Sequence, residues 1–105
     1  MITAIVQFTL PKETSREDAM KVFKTSASKY RGMPGLIRKY YLYGDDGVAG
    51  GAYLWESREA AEAVFTAEWR EMIAERYGSA PMVTYFETPL VVDNVSGDVI
   101  GEAAE

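Results

Sequence analysis

The sequence contains no cysteine and no histidine. That excludes disulfides, thiolate or imidazole zinc sites, iron–sulfur clusters, cysteine nucleophiles, Ser–His triads and His-ligated haem. Long apolar runs are missing too: no stretch approaches the roughly 18 residues of a membrane helix. The opening MITAIVQFTLPKETSR has neither a basic leader nor an apolar run of signal-peptide length. A soluble, cytoplasmic chain with no membrane partner is expected. A general basic surface is also absent. With 11 Lys/Arg against 16 Asp/Glu the formal charge is −5, the wrong sign for a general nucleic-acid binder. The charge is uneven: residues 1–58 hold nine bases and six acids, residues 59–105 two and ten. This reads as an acidic helix plus an acidic tail. Lys, Arg, Tyr, Trp and carboxylates are what remain for chemistry.

The length of 105 residues suits one domain. Residues 3–10 (TAIVQFTL) are β-branched and aromatic and end at Pro11, so they read as a strand. Thr14 or Ser15 then offers an N-cap, with Glu17 and Asp18 in the first turn. Ala19, Val22, Phe23, Ala27 and Tyr30 follow at helical spacing, and Gly32 with Pro34-Gly35 ends the helix. Residues 36–43 and 48–56 predict a hairpin around Gly44-Asp45-Asp46-Gly47. The two adjacent acids read as a solvated tip, since calcium wants a spaced oxygen set; no metal site is expected. Ser57 caps a second helical region whose stripe runs Ala61, Val64, Phe65, Trp69, Met72, Ile73, Tyr77. Thr66 could cap a second piece within it. Residues 82–92 predict one long final strand, with Pro89 marking an edge or bulge. The chain from Asp93 on holds four acids and no base and is expected to be partly mobile. The order is β-α-β-β-α-β: an α+β, ferredoxin-like domain over residues 1–94 with a four-stranded antiparallel sheet, then an acidic tail, 95–105.

Two helices cover one face of such a sheet. Ala4, Val6, Phe8 and Leu10 suit the helices. On the third strand the sets are Ala52/Leu54 and Gly51/Tyr53/Trp55, and the second is assigned to the open face because its large rings need a partner surface. Seven aromatics fall on strands two to four (Tyr40, Tyr41, Tyr43, Tyr53, Trp55, Tyr85, Phe86), and alternation puts at least half of them opposite the helices. A bare face that aromatic calls for a homodimer, two sheets enclosing either a cavity or a packed interface. Gly50-Gly51 inside a strand leaves a gap in the side-chain layer or marks a bulge or close contact. A register pairing Tyr43 with Ala49 sets Lys39 opposite Tyr53 and Tyr41 opposite Gly51. Lys39 among phenols suits an anionic aromatic ligand, or equally a strand-edge or interface salt bridge.

Several segments carry a family resemblance: Met33-Pro34-Gly35-Leu36, Lys39-Tyr40-Tyr41, Gly50-Gly51-Ala52-Tyr53-Leu54-Trp55-Glu56-Ser57, Glu68-Trp69 and Tyr85-Phe86-Glu87-Thr88-Pro89. Together they resemble the YdhR-like mono-oxygenases of the dimeric α/β-barrel superfamily, over roughly residues 3–94. The resemblance implies a ferredoxin-like protomer, a homodimeric barrel and one pocket per protomer, between sheet and helices or at the interface. It also implies cofactor-independent oxygenation in some relatives. Trp55 matches a Trp of the aromatic-polyketide oxygenases, while Gly51 stands where they carry an Asn. The haem-degrading branch needs a His that this chain lacks.

The enzyme expectation is a mono-oxygenase on a small aromatic or quinol-like substrate, with no cofactor. Lys39 supplies positive charge, Tyr53 or Tyr41 hydrogen-bonds the substrate oxygen, and Glu87 or the substrate's own acidity serves for proton removal. Trp55 forms a stacking wall, with Gly51 and Tyr85 completing the ligand contacts. The alternatives are a non-catalytic small-molecule-binding dimer and a lactone-type isomerase. Base stacking on the sheet is set aside, because Val48-Ala49-Gly50-Gly51-Ala52-Tyr53 lacks the basic start of an RNA-binding strand.

Overall fold

The computed structural model describes residues 1–101. Strand β1 (Ile2–Thr9) leads to helix α1 (Arg16–Tyr30) and then to the hairpin β2 (Leu36–Tyr43) and β3 (Val48–Trp55), joined by a 3₁₀ turn. Helices α2 (Arg58–Val64) and α3 (Ala67–Tyr77) follow, then β4 (Met82–Glu87), β5 (Leu90–Asp93) and β6 (Asp98–Gly101). The first four strands form one antiparallel sheet in the order β2-β3-β1-β4. The fold is ferredoxin-like α+β, with the helices on one face.

Each helix starts on a hydroxyl cap. Ser15 Oγ accepts from the Asp18 N–H at 3.0 Å, Ser57 Oγ from Ala60 at 3.1 Å and Thr66 Oγ1 from Trp69 at 3.1 Å. Each bond satisfies an amide that the helix itself leaves unpaired. The Thr66 cap splits the long apolar stripe into α2 and α3, and Gly78, left-handed at φ 86°, closes α3. The buried face of α1 is Ala19, Phe23, Ser26 and Tyr30. Ala27, expected in that stripe, is exposed, and the polar Ser26 takes its place.

The hairpin register is the expected one: Tyr43 pairs with Ala49, Tyr41 with Gly51 and Lys39 with Tyr53. The face is reversed. Tyr53 and Gly51 are the cross-strand partners of Ala4 and Val6, which point toward the helices, and directly paired residues share a face. Gly51, Tyr53 and Trp55 therefore face the helices, with Tyr53 3% and Trp55 0% exposed. Large rings are needed there to fill the layer beneath α2 and α3. Tyr41, Tyr43 and Tyr85 share this face, so of the seven strand aromatics only Tyr40 and Phe86 point the other way.

The final strand is two strands. The Thr88 N–H donates to the Met1 carbonyl at 2.9 Å, the Thr88 and Thr3 hydroxyls are hydrogen-bonded, and Pro89 has no N–H to continue the ladder. Beyond it β5 pairs with β6. Asp93 Oδ1 accepts from the Val95 N–H at 2.9 Å and shapes the turn between them. The acidic segment from residue 95 thus begins as the turn and return strand of a hairpin; residues 102–105 of that segment lie outside the described residues. No helix among the described residues is long and apolar enough to cross a membrane.

Candidate functional site

A cavity of about 160 Å³ lies between the sheet and helices α1 and α3. Strands β1, β2 and β3 contribute Val6, Phe8, Lys39, Tyr41 and Tyr53; the helices contribute Ser26, Tyr30, Trp69, Ile73 and Tyr77 among others. Its centre is Lys39. Strand alternation turns this side chain inward from an edge strand, and the missing side chain at Gly51 accommodates it. A Cβ at position 51 would stand 3.4 Å from Lys39 Cε and 2.9 Å from the Tyr53 ring. Gly50 serves the backbone instead, since a Cβ there would fall 1.8 Å from the Val6 carbonyl oxygen.

The Lys39 ammonium sits 3.4 Å from the ring centroid of Tyr30, 3.9 Å from that of Tyr41 and 4.7 Å from that of Tyr53. Three electron-rich ring faces surround one cation. Among the described residues it has no carboxylate partner; the ion pairs are Arg38–Asp93 and Arg58–Glu62. Burial lowers its pKa to about 7, and repulsion from Lys29 acts in the same direction.

The cage is held by hydrogen bonds. Trp69 Nε1 donates to the Tyr30 hydroxyl at 3.0 Å. The Tyr41 hydroxyl lies 2.8 Å from Ser26 Oγ, which donates to the Phe23 carbonyl at 3.1 Å. Burial raises the Tyr41 phenol above its ordinary value, with the Ser26 bond opposing. Burial and the neighbouring Tyr30 push the Tyr53 phenol far up, so it stays protonated. The site is a half-buried amine among phenols. It can exchange a proton near neutral pH and donate hydrogen bonds to an oxygen.

The structure brings Lys39, Tyr41 and Tyr53 together, with Gly51 beneath them. Trp55 lies one layer further out, stacked on Tyr53 at 5.9 Å and 7°, and does not line the cavity. Its Nε1 is buried without a hydrogen-bond partner among the described residues. Tyr85 packs 6.4 Å from Phe65 with Arg58 4.2 Å above its ring, away from the cavity. Glu87 is exposed at the end of β4, paired with Ile2, and does not reach Lys39's cavity. Sequence reasoning missed Tyr30, Ser26 and Trp69, which it treated as helix stripe or passed over. The signal was chemical: a serine within a buried stripe, and Tyr and Trp tips that need partners when buried. Among the described residues no three acidic side chains gather as a metal site.

No family model matches the sequence, and no curated protein matches it. Solved structures do. A Deinococcus radiodurans protein assigned to the antibiotic biosynthesis monooxygenases superposes with a TM-score of 0.67 at 11% identity, over 89% of this chain and 97% of that one. The likeness is one of fold. It extends to the monooxygenase from the gene ActVA-Orf6 of Streptomyces coelicolor, solved with nanaomycin D (TM-score 0.63, 20% identity, 83% of this chain and 86% of that chain). It extends as well to a variant of SnoaB, a cofactor-independent oxygenase from Streptomyces nogalater (0.59, 18%, 83% and 91%). The chain thus has the fold of antibiotic biosynthesis monooxygenases.

Proposed function

We propose that this protein is a cofactor-independent mono-oxygenase acting on a small aromatic, quinol-type substrate in the Lys39 cavity. The observation that carries the reading is the Lys39 amine, enclosed by three tyrosine rings with no carboxylate to neutralise it. Ground-state O₂ is a triplet and reacts slowly with closed-shell molecules unless they give up an electron readily. A phenolate does so; a phenol does not. With a pKa of about 7, Lys39 is partly neutral at physiological pH and can take the quinol proton. The ammonium so formed then faces the phenolate in a site partly removed from water, and the phenols of Tyr30 and Tyr53 donate to its oxygen. For a quinol the balance closes without a reductant: quinol plus O₂ gives hydroxyquinone plus water. One oxygen atom enters the ring, the other leaves as water, and the quinol supplies all four electrons.

The cavity, about 160 Å³, is close to the ~150 Å³ that holds one benzene ring, which favours a single-ring substrate. Lys39 takes the proton-accepting role expected of Glu87, because Glu87 is exposed outside the cavity. Trp55 acts behind Tyr53 by stacking rather than on the substrate. The resemblance of the sequence to the YdhR-like branch supports this reading, as does the shared monooxygenase fold. The proposal includes a cytoplasmic location. A homodimer joined through the open sheet face is supported by Tyr40, Leu42, Met82 and Phe86, all exposed on it.

Oxygen uptake with hydroquinone and catechol, in metal-chelated and flavin-free buffer, tests the reading. Consumption of one O₂ per quinol, lost in Lys39→Met, is expected. Binding of these phenols without O₂ uptake replaces it by a non-catalytic binding protein.

A further inference from the structure

The charge of the cavity runs against the charge of the chain. The protein has 16 acidic and 11 basic residues, yet the cavity is lined by Lys29, Lys39 and Arg76 and by no Asp or Glu. Lys39 is half-buried, whereas Lys29, Arg76 and Thr25 are exposed lining residues and therefore mark the mouth, between α1 and α3. Lys29 and Arg76 each stand in the last turn of their helix, where the helix dipole favours a cation. That accounts for each singly, but not for both of them lining one cavity with no acid beside them. Nor are they held by a local acid: no ion pair joins either to a carboxylate among the described residues. Glu68 lines a neighbouring groove with Lys29 yet lies outside ion-pair distance.

Taking the cavity as a ligand site, as in the reading above, we infer that its ligand is a single-ring aromatic acid whose carboxylate is held at the mouth by Lys29 and Arg76. The guanidinium of Arg76 can grip a carboxylate through two parallel hydrogen bonds. Both ammonium groups, of Lys29 and Lys39, lie against the Tyr30 ring, at 5.7 and 3.4 Å from its centroid. A ligand one ring long can therefore meet both. Its ring occupies the apolar interior beside Tyr53 and Trp69, and a phenol oxygen para to the carboxylate meets Lys39. The negative group also offsets the mutual repulsion of cations in a site partly removed from water. A neutral phenol fills the interior equally well but leaves those cations unpaired.

Calorimetric titration of the full chain at pH 7 and low salt with 4-hydroxybenzoate and with its neutral analogue 4-hydroxybenzamide decides the matter. The acid should bind at least ten-fold more tightly. In the Lys29→Gln/Arg76→Gln double variant the acid's advantage over the amide should vanish, while the amide still binds and so reports an intact cavity. An amide that binds the native protein as tightly as the acid overturns the inference and leaves the cavity a phenol site. So does an acid preference that survives the double variant. Phenyl phosphate binding ten-fold more tightly than the acid overturns the choice of carboxylate. Failure of both the acid and the amide to bind overturns the ligand-site reading itself.

Discussion

The ammonium of Lys39 lies 3.4 Å from the centroid of the Tyr30 ring. This single contact joins the edge strand β2 to the last turn of α1. Strand alternation alone would bury an aliphatic chain here; instead it half-buries an amine, faced by three rings and by no carboxylate among the described residues. Burying a charge without a partner is costly. Fold stability and proposed chemistry therefore depend on the same proton.

Stability should rise with pH from about 6.5 to 9. Unfolded, Lys39 keeps its proton up to its ordinary 10.5; folded, it loses it near 7. Between those values the unfolded state binds more protons, so raising the pH favours folding, by about 3–5 kcal/mol at most. Above pH 10 the sign reverses. The phenols of Tyr41, Tyr53 and Tyr77 then hold protons that the unfolded chain releases. Urea unfolding across this range measures the profile. Lys39→Met should remove the rise and keep the fall; an unchanged rise in that variant would count against the buried amine.

Turnover of a quinol should follow the neutral form of Lys39. The rate constant kcat/KM is expected to climb through pH 7 and level off above it, reporting the free enzyme's base. A profile that declines through pH 7 would assign the work to the ammonium alone.

The two adjacent glycines should differ in cost. Gly50→Ala drives a Cβ onto the Val6 carbonyl, a backbone atom that cannot swing away. It should cost about 3 kcal/mol or more. Gly51→Ala meets the Tyr53 ring at 2.9 Å and the Tyr40 carbonyl oxygen at 3.2 Å, looser than the clash at Gly50, and should cost about 1–2 kcal/mol while shrinking the cavity. Chemical denaturation of both variants gives the order; the reverse order contradicts it.

Tyr30→Phe should destabilise the fold by about 1–3 kcal/mol, because Trp69 Nε1 loses its acceptor in a buried position. The ring that faces Lys39 is kept, so the stability rise with pH should persist. A thermal shift indistinguishable from the native protein would show that the bond adds nothing.

Charged substitutions on the open sheet face should separate copies of the chain. Leu42→Glu with Phe86→Glu is expected to convert a dimer to a monomer of half the mass by light scattering, with far-UV dichroism unchanged. A native protein that already runs as a monomer removes the dimer from the proposal.

Local chemistry made much of the architecture legible. The caps Ser15, Ser57 and Thr66, the stop at Gly78 and the pairing of Lys39 with Tyr53 all follow from residue type and spacing over a few positions. These are decided by hydrogen bonds and turns within one segment. The long-final-strand expectation failed at Thr88-Pro89, where a bond to Met1, at the far end of the chain, holds the exit from the sheet.

Which way β3 faces was not decided locally. Alternation divides Gly51, Tyr53 and Trp55 from Ala52 and Leu54, but it treats the two faces alike. Only the neighbouring Ala4 and Val6, already committed to the helices, break that symmetry and carry the rings inward. The same packing draws Tyr30 and Trp69, 39 positions apart, into one hydrogen bond around the Lys39 cavity. By itself the sequence determined the order of elements as far as β4, the helix caps and the register of the β2–β3 hairpin. The tertiary structure decided where the amine went, because burial is a property of surfaces that meet and not of the segment that supplies them.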